Sequence, residues 1–179
     1  MSTAPVDLLD FIHQSDHAGL PQAVRHQTRR CLLDLLGVAA AGTATPLSRI
    51  LRDHARRHAP GPPGSSRLLF DGRRVGAPQA ALANAGTIDS MDGHDGHRLT
   101  KGHAGVAVLP AVLAFLEGPD EERIEELGTH DLVAAVAVGY EVALRAGIAL
   151  HRTASDYHSS GAWNAIGAAA VGARLLGLD

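Results

Sequence analysis

Aromatic side chains are nearly missing from this sequence: Phe, Tyr and Trp together make up 3% of its 179 residues, while hydrophobic residues as a whole make up 45%. A core must therefore be filled with Ala, Val, Leu and Ile, which calls for close approach of helices. The 20 glycines lie within apolar runs and not in low-complexity tracts, which favours tight packing over disorder. One cysteine, Cys31, excludes an internal disulfide and a multi-cysteine metal site. In its apolar helical run it reads as an inert core thiol. One lysine, Lys101, stands against fifteen arginines among the sixteen basic residues. The arginines are scattered and the net charge is −3, so the massed basic stripe of a nucleic-acid binder is absent. The start, MSTAPVDLLDF, shows no secretory signal pattern. The longest apolar run, Leu132–Tyr140, is too short to cross a bilayer. A soluble cytoplasmic protein with no membrane or nucleic-acid partner is expected. Residues 1–179 suffice for a single domain, and no internal repeat is visible.

What is present reads as helix after helix. Val6–Gln14 carries Val6, Leu9 and Ile12 on one face. Pro21–Ala41 follows, with Val24, Leu32, Leu35, Leu36 and Val38 as its apolar side and Gly42 as its stop. Pro46–His58 places Leu47, Ile50 and Leu51 inward and Arg52, Arg56 and Arg57 outward. The Pro- and Gly-rich run from Ala59 to Ser66 is a loop. Arg67–Val75 carries the Asp-Gly signal of a small hairpin. Pro78–Ser90 and Ala104–Glu117 are alanine- and valine-rich helices on either side of a polar loop. Glu121, Glu122, Glu125 and Glu126 form a solvated acidic face. A helix capped by Thr129 or Asp131 runs to about Leu150, apolar all round except for Glu141 and Arg145, a spacing that suits an ion pair. Gly161–Leu178 closes the chain with a face of Gly and Ala that invites a neighbouring helix. The expected fold is an all-α helical bundle with one minor β-hairpin.

The chemistry concentrates in two polar loops. The first holds Asp89, Asp92, His94, Asp95, His97, Lys101 and His103; the second holds His151, Asp156, Tyr157 and His158. Each loop precedes a small-residue helix. If those helices lie side by side, the loops share one site. Such a site would combine a carboxylate (Asp92 or Asp95), imidazoles (His97, His103, His158) and one ammonium (Lys101). Histidine titrates near neutrality and suits proton transfer. Lysine and the helix starts near Ala104 and Gly161 attract anions. Together they suit proton abstraction next to a carboxylate, followed by loss of water, loss of CO2 or reprotonation. Asp-Gly-His-Asp-Gly-His could also offer metal ligands, but its spacing matches no standard site, so no metal is expected. His13, His17, His26, His54, His58 and His130 read as surface or helix-end histidines, and Trp163 and Tyr157 as packing or pocket-lining residues.

The run MDGHDGHRLTKGHAGVAVLPAVLAFLE resembles the signature of the MmgE/PrpD family, roughly L-D-F-D-D-T-H, a spacer, then H-P-G-A-A-V-L-P-A. VGYEVALRAGIAL resembles that family's G-Y-E-V-A-x-R. YHSSGAWNAIGAAAVGARLLGLD resembles its F-H-P-T-G and following alanine-rich run, and CLLDLLGVAAAG fits its first long helix. The resemblance covers the whole chain in collinear order. It implies the N-terminal part of a large helical domain, with the rest of that domain and an α/β lid outside residues 1–179. The implied activity is cofactor-free elimination, decarboxylation or epimerisation of small polycarboxylates. Carried over by motif, Asp92, His103 and His158 are the implied active-site positions. The two histidines would handle protons, and Asp92 would orient a histidine or bind a substrate hydroxyl. Lys101, Asp95, His97 and Tyr157 are the candidate substrate contacts. Gly96 stands where the signature has threonine, and Ala104 where it has proline. Because the family's later lysines and a further histidine fall outside this sequence, a second polypeptide is the expected source of the missing groups, so that the chain is one half of a split enzyme. A homo-oligomeric short homologue with altered chemistry and a non-catalytic binding or scaffold subunit are the alternatives.

Overall fold

The computed structural model describes residues 7–61, 65–117, 128–156 and 159–178. Within them seven helices and one two-stranded antiparallel sheet follow in order: α1 (Leu8–Gln14), α2 (Gln22–Gly42), α3 (Pro46–His58), β1 (Ser65–Arg67), β2 (Arg74–Gly76), α4 (Ala77–Asp89), α5 (Gly105–Glu117), α6 (Thr129–Thr153) and α7 (Gly161–Leu176). The expected all-α bundle with a minor hairpin is the observed fold. The acidic stretch at 120–127, and with it the four glutamates, lies outside the described residues.

Local chemistry sets the helix ends. The Asp7 carboxylate accepts the Leu9 N–H to start α1. Thr45 caps α3 from the Ser48 N–H, with Pro46 in the first turn. Asp131 accepts the Gly128 N–H at the start of α6. Gly177 takes φ +66° after α7, and the Leu178 N–H reaches back to the Ala173 carbonyl, closing a Schellman turn.

The main core joins α2, α4, α5, α6 and α7 through Leu35, Ala39, Ile88, Val108, Val112, Val136, Ala143, Trp163 and Val171. Bare backbone makes the α6–α7 contact possible. A Cβ built on Gly167 would stand 2.7 Å from the Ala143 Cβ and 2.8 Å from the Gly139 carbonyl. By length and apolar character α6 could cross a bilayer. Ten of its residues are instead buried among neighbouring helices, as in the centre of a bundle. It runs to Thr153, and Glu141 and Arg145 form the expected ion pair on its outer side.

A second, smaller core lies between α3, the hairpin and α4: Ala55, Leu68, Val75, Ala80 and Ala83. The strands pair Ser65 with Gly76 and Arg67 with Arg74, so the ladder sits slightly outside the Arg67–Val75 segment that the Asp-Gly signal marks. Asn84 holds the hairpin to α4, donating to the Arg67 carbonyl at 2.9 Å and accepting the Leu69 N–H at 2.8 Å. Asp71 accepts from Arg73 and Arg52, which hold its carboxyl below the usual carboxylate range.

Two helix faces differ from the expected ones. Leu47 and Ile50 are exposed on α3, whose buried residues are Ser48 and Ala55. The reason is the thinness of the α3–α4 contact. Ser48 and Thr87 share a hydrogen bond at 2.7 Å, and Leu51 fills the space over Gly86, leaving no room for larger side chains. On α2, Leu35 and Ala39 face the core, while Val24, Leu33 and Leu36 are exposed.

Candidate active site

Residues 90–104 cross from the end of α4 to the start of α5 as a polar loop with little regular structure. The His97 N–H donates to the Gly102 carbonyl at 2.9 Å, and the Thr100 N–H to the His97 carbonyl at 3.2 Å, folding 97–102 into a tight turn. Asp92 and Lys101 both adopt positive φ, +45° and +47°, in the left-handed region that non-glycine residues rarely enter. Such backbone needs support from its surroundings, and at Lys101 the main-chain bonds of the 97–102 turn supply part of it.

His94 is the inner member. Its side chain is completely buried, its Nε2 bonds Asp89 Oδ1 at 3.1 Å, and its ring meets the His103 ring edge-on, with centroids 4.4 Å apart. It is thus a packed core histidine and not a solvated loop residue. His103 is the outer member, with a side chain 34% exposed. Its Nδ1 lies 2.6 Å from the Asp95 carbonyl, and its Nε2 lies 4.0 Å from Asp92 Oδ1. The Asp92 side chain is otherwise open to solvent. Asp89, Asp92 and His94 bring ligand atoms within 4.8 Å of one another, and among the described residues this is the group that could hold a metal ion.

The second polar loop arrives at the same place. The His103 N–H donates to Ser160 Oγ at 3.4 Å, and Asn164 Nδ2 donates to the His103 carbonyl at 2.7 Å. Ser160 and Asn164 belong to the start of α7, so that helix holds the main chain of residue 103 from both sides. Trp163 fills the space beneath, its ring 2.9 Å from where a Cβ on Gly102 would be. His158 and Tyr157 lie outside the described residues.

An open crevice of about 920 Å³ runs beside this junction, lined among others by Asp89, Lys101, His151, Asp156, Ser160 and Asn164. Residues from the first turns of α5 (Val106, Ala107) and α7 (Gly161) border it as well, so two helix ends with partial positive charge lie along its wall. Lys101 is thereby placed with the His103 junction. His97 is not: it borders a separate depression of about 500 Å³, with Glu141, Arg145 and Arg152 of α6.

Asp95 points inward. Its Oδ1 is shut off from solvent next to the buried Tyr140 hydroxyl, with no hydrogen bond of ordinary geometry between them. A Cβ on Gly105 would overlap both groups. Burial pushes the Asp95 carboxyl above its usual range, against the opposing pull of Tyr140, His94 and the Gly105 N–H. Burial, and next the charge of Asp95, raises the Tyr140 phenol. An acid whose folded pKa lies above its unfolded one binds more protons in the folded state. Its contribution to stability then falls as pH rises from the ordinary aspartate pKa of about 3.9 through the folded value. Asp95→Asn is therefore expected to unfold at a higher temperature than the wild type at neutral pH. The two should converge below about pH 3, where the aspartate is neutral in the folded and the unfolded chain alike. Thermal unfolding followed by circular dichroism across this range checks it; a lower Tm for the variant at neutral pH would contradict the burial of a charged carboxylate.

Three of the four stretches that carry the family resemblance, those that begin at residues 91, 138 and 157, thus touch one another in their described parts. Asp95 of the first meets Tyr140 of the second, and His103 of the first meets Ser160 and Asn164 of the third. The sequence profile of the MmgE/PrpD N-terminal domain matches residues 6–179. The chain belongs to the MmgE/PrpD family. A cis-aconitate decarboxylase of Aspergillus terreus is 27% identical over 162 residues, which cover 89% of this chain and 32% of that protein. The cis-aconitate decarboxylase of Aspergillus terreus strain NIH 2624 / FGSC A1156 matches with the same figures. This MmgE/PrpD chain spans about a third of the length of the curated relatives it matches.

Reading the MmgE/PrpD motifs alone does not reveal Tyr140, Ser160 or Asn164 as parts of the junction. The available signal is a polar residue within an otherwise apolar or small-residue helix: Tyr140 within α6 and Asn164 within α7. A buried polar atom on such a helix calls for a partner; Asn164 Nδ2 finds one in the His103 carbonyl of the loop, whereas the Tyr140 hydroxyl lies beside Asp95 with no hydrogen bond of ordinary geometry.

Proposed function

We propose that this chain is a subunit of a cofactor-independent lyase or isomerase that removes a proton next to a carboxylate of a small polycarboxylate. In this reading His103 and His158 are the acid–base groups, Asp92 their polar partner, and Lys101 an anion contact, with Tyr157 as a further candidate for substrate contact. The observation that carries it is the setting of His103. The ring is held at Nδ1, its other nitrogen faces Asp92, and its main chain is bonded to two residues of a crevice that Lys101 and two helix starts border. A carboxylate placed by Lys101 would bring its α-carbon towards a basic imidazole, which is the arrangement that proton abstraction requires. The cis-aconitate decarboxylases to which the chain is similar support a small polycarboxylate substrate.

The remainder of the site comes, in this proposal, from a second polypeptide, making the enzyme a split one. Supporting it are the large apolar side chains in contact with solvent, Leu33 at 74% exposure, Ile50 at 61% and Leu82, on the rim of the crevice, at 62%. The test is to determine the mass and composition of the native assembly and then to incubate it with small polycarboxylates, cis-aconitate first, in deuterium oxide. Incorporation of deuterium next to a carboxylate, or release of CO2, in an assembly containing a second chain is the expected result. Activity of a homo-oligomer alone would replace the split enzyme with a self-sufficient homologue that uses Lys101. A native assembly with neither exchange nor turnover, and no change on replacing His103, would make the chain a binding or scaffold subunit.

A further inference from the structure

We infer that Asp95 is a positioning residue: its inward-turned carboxylate anchors the backbone carbonyl that locks His103 in the Nδ1–H tautomer, leaving Nε2 as the proton acceptor. The catalytic consequence rests on the proposed role of His103, while the tautomer is a property of the folded chain.

A carbonyl oxygen can only accept a hydrogen bond. At 2.6 Å from the Asp95 carbonyl, Nδ1 must therefore carry the hydrogen, whether the ring is neutral or charged. In the neutral ring the lone pair then lies on Nε2, which is the nitrogen that faces Asp92 at 4.0 Å. Free histidine favours the opposite tautomer, so the protein must hold that carbonyl in place.

Little else in the loop can do so. Asp95 sits between His94 and Gly96, with Gly93 close by, and glycine leaves the backbone free to rotate. The main-chain hydrogen bonds of the loop join Asp92 to Asp89 on one side and residues 97, 100 and 102 on the other, and none of them uses the main chain of residues 94–96. The side chain is the anchor that remains. Oδ1 is enclosed by Gly105 at the start of α5, Tyr140 of α6 and Leu35 of α2, three elements of the main core. With the carboxylate seated there, the residue 95 carbonyl is turned outward beneath His103. The His94 ring, edge-on to His103, limits its tilt from the other side. A carboxylate facing a buried phenol is poorly placed to meet a substrate. One pointing outward would also repel an anionic substrate beside Lys101. Asp95 thus acts through His103 and not on the substrate.

Selective 15N labelling of histidine and long-range proton–nitrogen correlation spectra of the full chain read the tautomer directly, with no need for turnover. The neutral ring of wild-type His103 is expected almost wholly as Nδ1–H. Asp95→Ala is expected to lower the Nδ1–H to Nε2–H ratio about tenfold, the bias that one hydrogen bond sustains. Asp95→Asn, which keeps the shape and an acceptor for the Gly105 N–H, is expected to retain the wild-type tautomer. A wild-type ring in the Nε2–H form, or a folded Asp95→Ala protein with an unchanged ratio, overturns the inference. If the alanine variant does not fold, Asp95→Ser decides, because its shorter side chain cannot fill the space between Gly105, Tyr140 and Leu35: a shift towards Nε2–H supports the anchor and no shift overturns it. A confirmed tautomer in an assembly that shows no deuterium exchange would leave this inference standing and remove the proposed function instead.

Discussion

Replacing His103 by alanine is expected to lower proton exchange and turnover in the complete assembly by roughly 10²–10⁴-fold, the usual worth of a positioned acid–base group. The fold should survive the change. The side chain is partly exposed and makes one strong hydrogen bond, to the Asp95 carbonyl, and the Ser160 and Asn164 contacts use the main chain of residue 103. Losing that single bond costs about 1 kcal/mol, or roughly 2–4 °C in Tm for a chain of this size. Rate and unfolding temperature, measured on the same preparation, separate the two roles. A collapse of Tm with the rate would make His103 a structural residue, and an undiminished rate would remove it from the chemistry.

Trp163→Ala carries the largest expected loss of stability, about 3–5 kcal/mol by the general cost of truncating a buried aromatic residue. That is a large share of the total of about 5–15 kcal/mol typical of a folded domain. Trp163 is 1% exposed, and its ring packs against the backbone at Gly102 and Gly147, where a Cβ would stand 2.9 Å from it in either case. In a chain so poor in aromatic residues no neighbour is large enough to fill the hole. Urea unfolding reads the loss. Trp163→Phe is expected to cost much less, because the indole Nε1 has no hydrogen-bond partner to lose. Equal losses for both variants would contradict a packing role.

The helices were legible because their apolar and small-residue patterns are long and their stops are marked by Gly, Pro and capping side chains. Gly161 opens α7, Pro46 opens α3, and Gly42 ends α2, as the sequence implies. Which face of a helix turns inward was less legible. Ile50 and Leu47 look like core residues, but α3 meets α4 through Ser48 and Ala55, because two backbones in near contact leave room for nothing larger. Hydrophobicity alone does not report the distance between helices. The polar loop shows a similar limit. Its residue types announce proton chemistry, but six acidic and imidazole groups within fifteen residues do not say which point inward. His94 and Asp95 are drawn into the protein by Asp89, Gly105 and Tyr140, whereas Asp92 and Lys101 are left outside by left-handed backbone. His97 turns to another side altogether, next to Glu141 and Arg145. The placements of Asp95 and His97 depend on partners distant in the chain, Tyr140 and the Glu141–Arg145 side of α6, and local composition carries no record of them.

The solitary lysine makes the crevice chemically addressable. Acylating reagents that react with primary amines find one side chain, Lys101, together with the amino terminus. A fluorophore, spin label or crosslinker attached through an amide at that nitrogen, on this chain before it is mixed with any other, would report on occupancy of the crevice mouth, and a short bifunctional reagent placed there would capture whatever chain borders it.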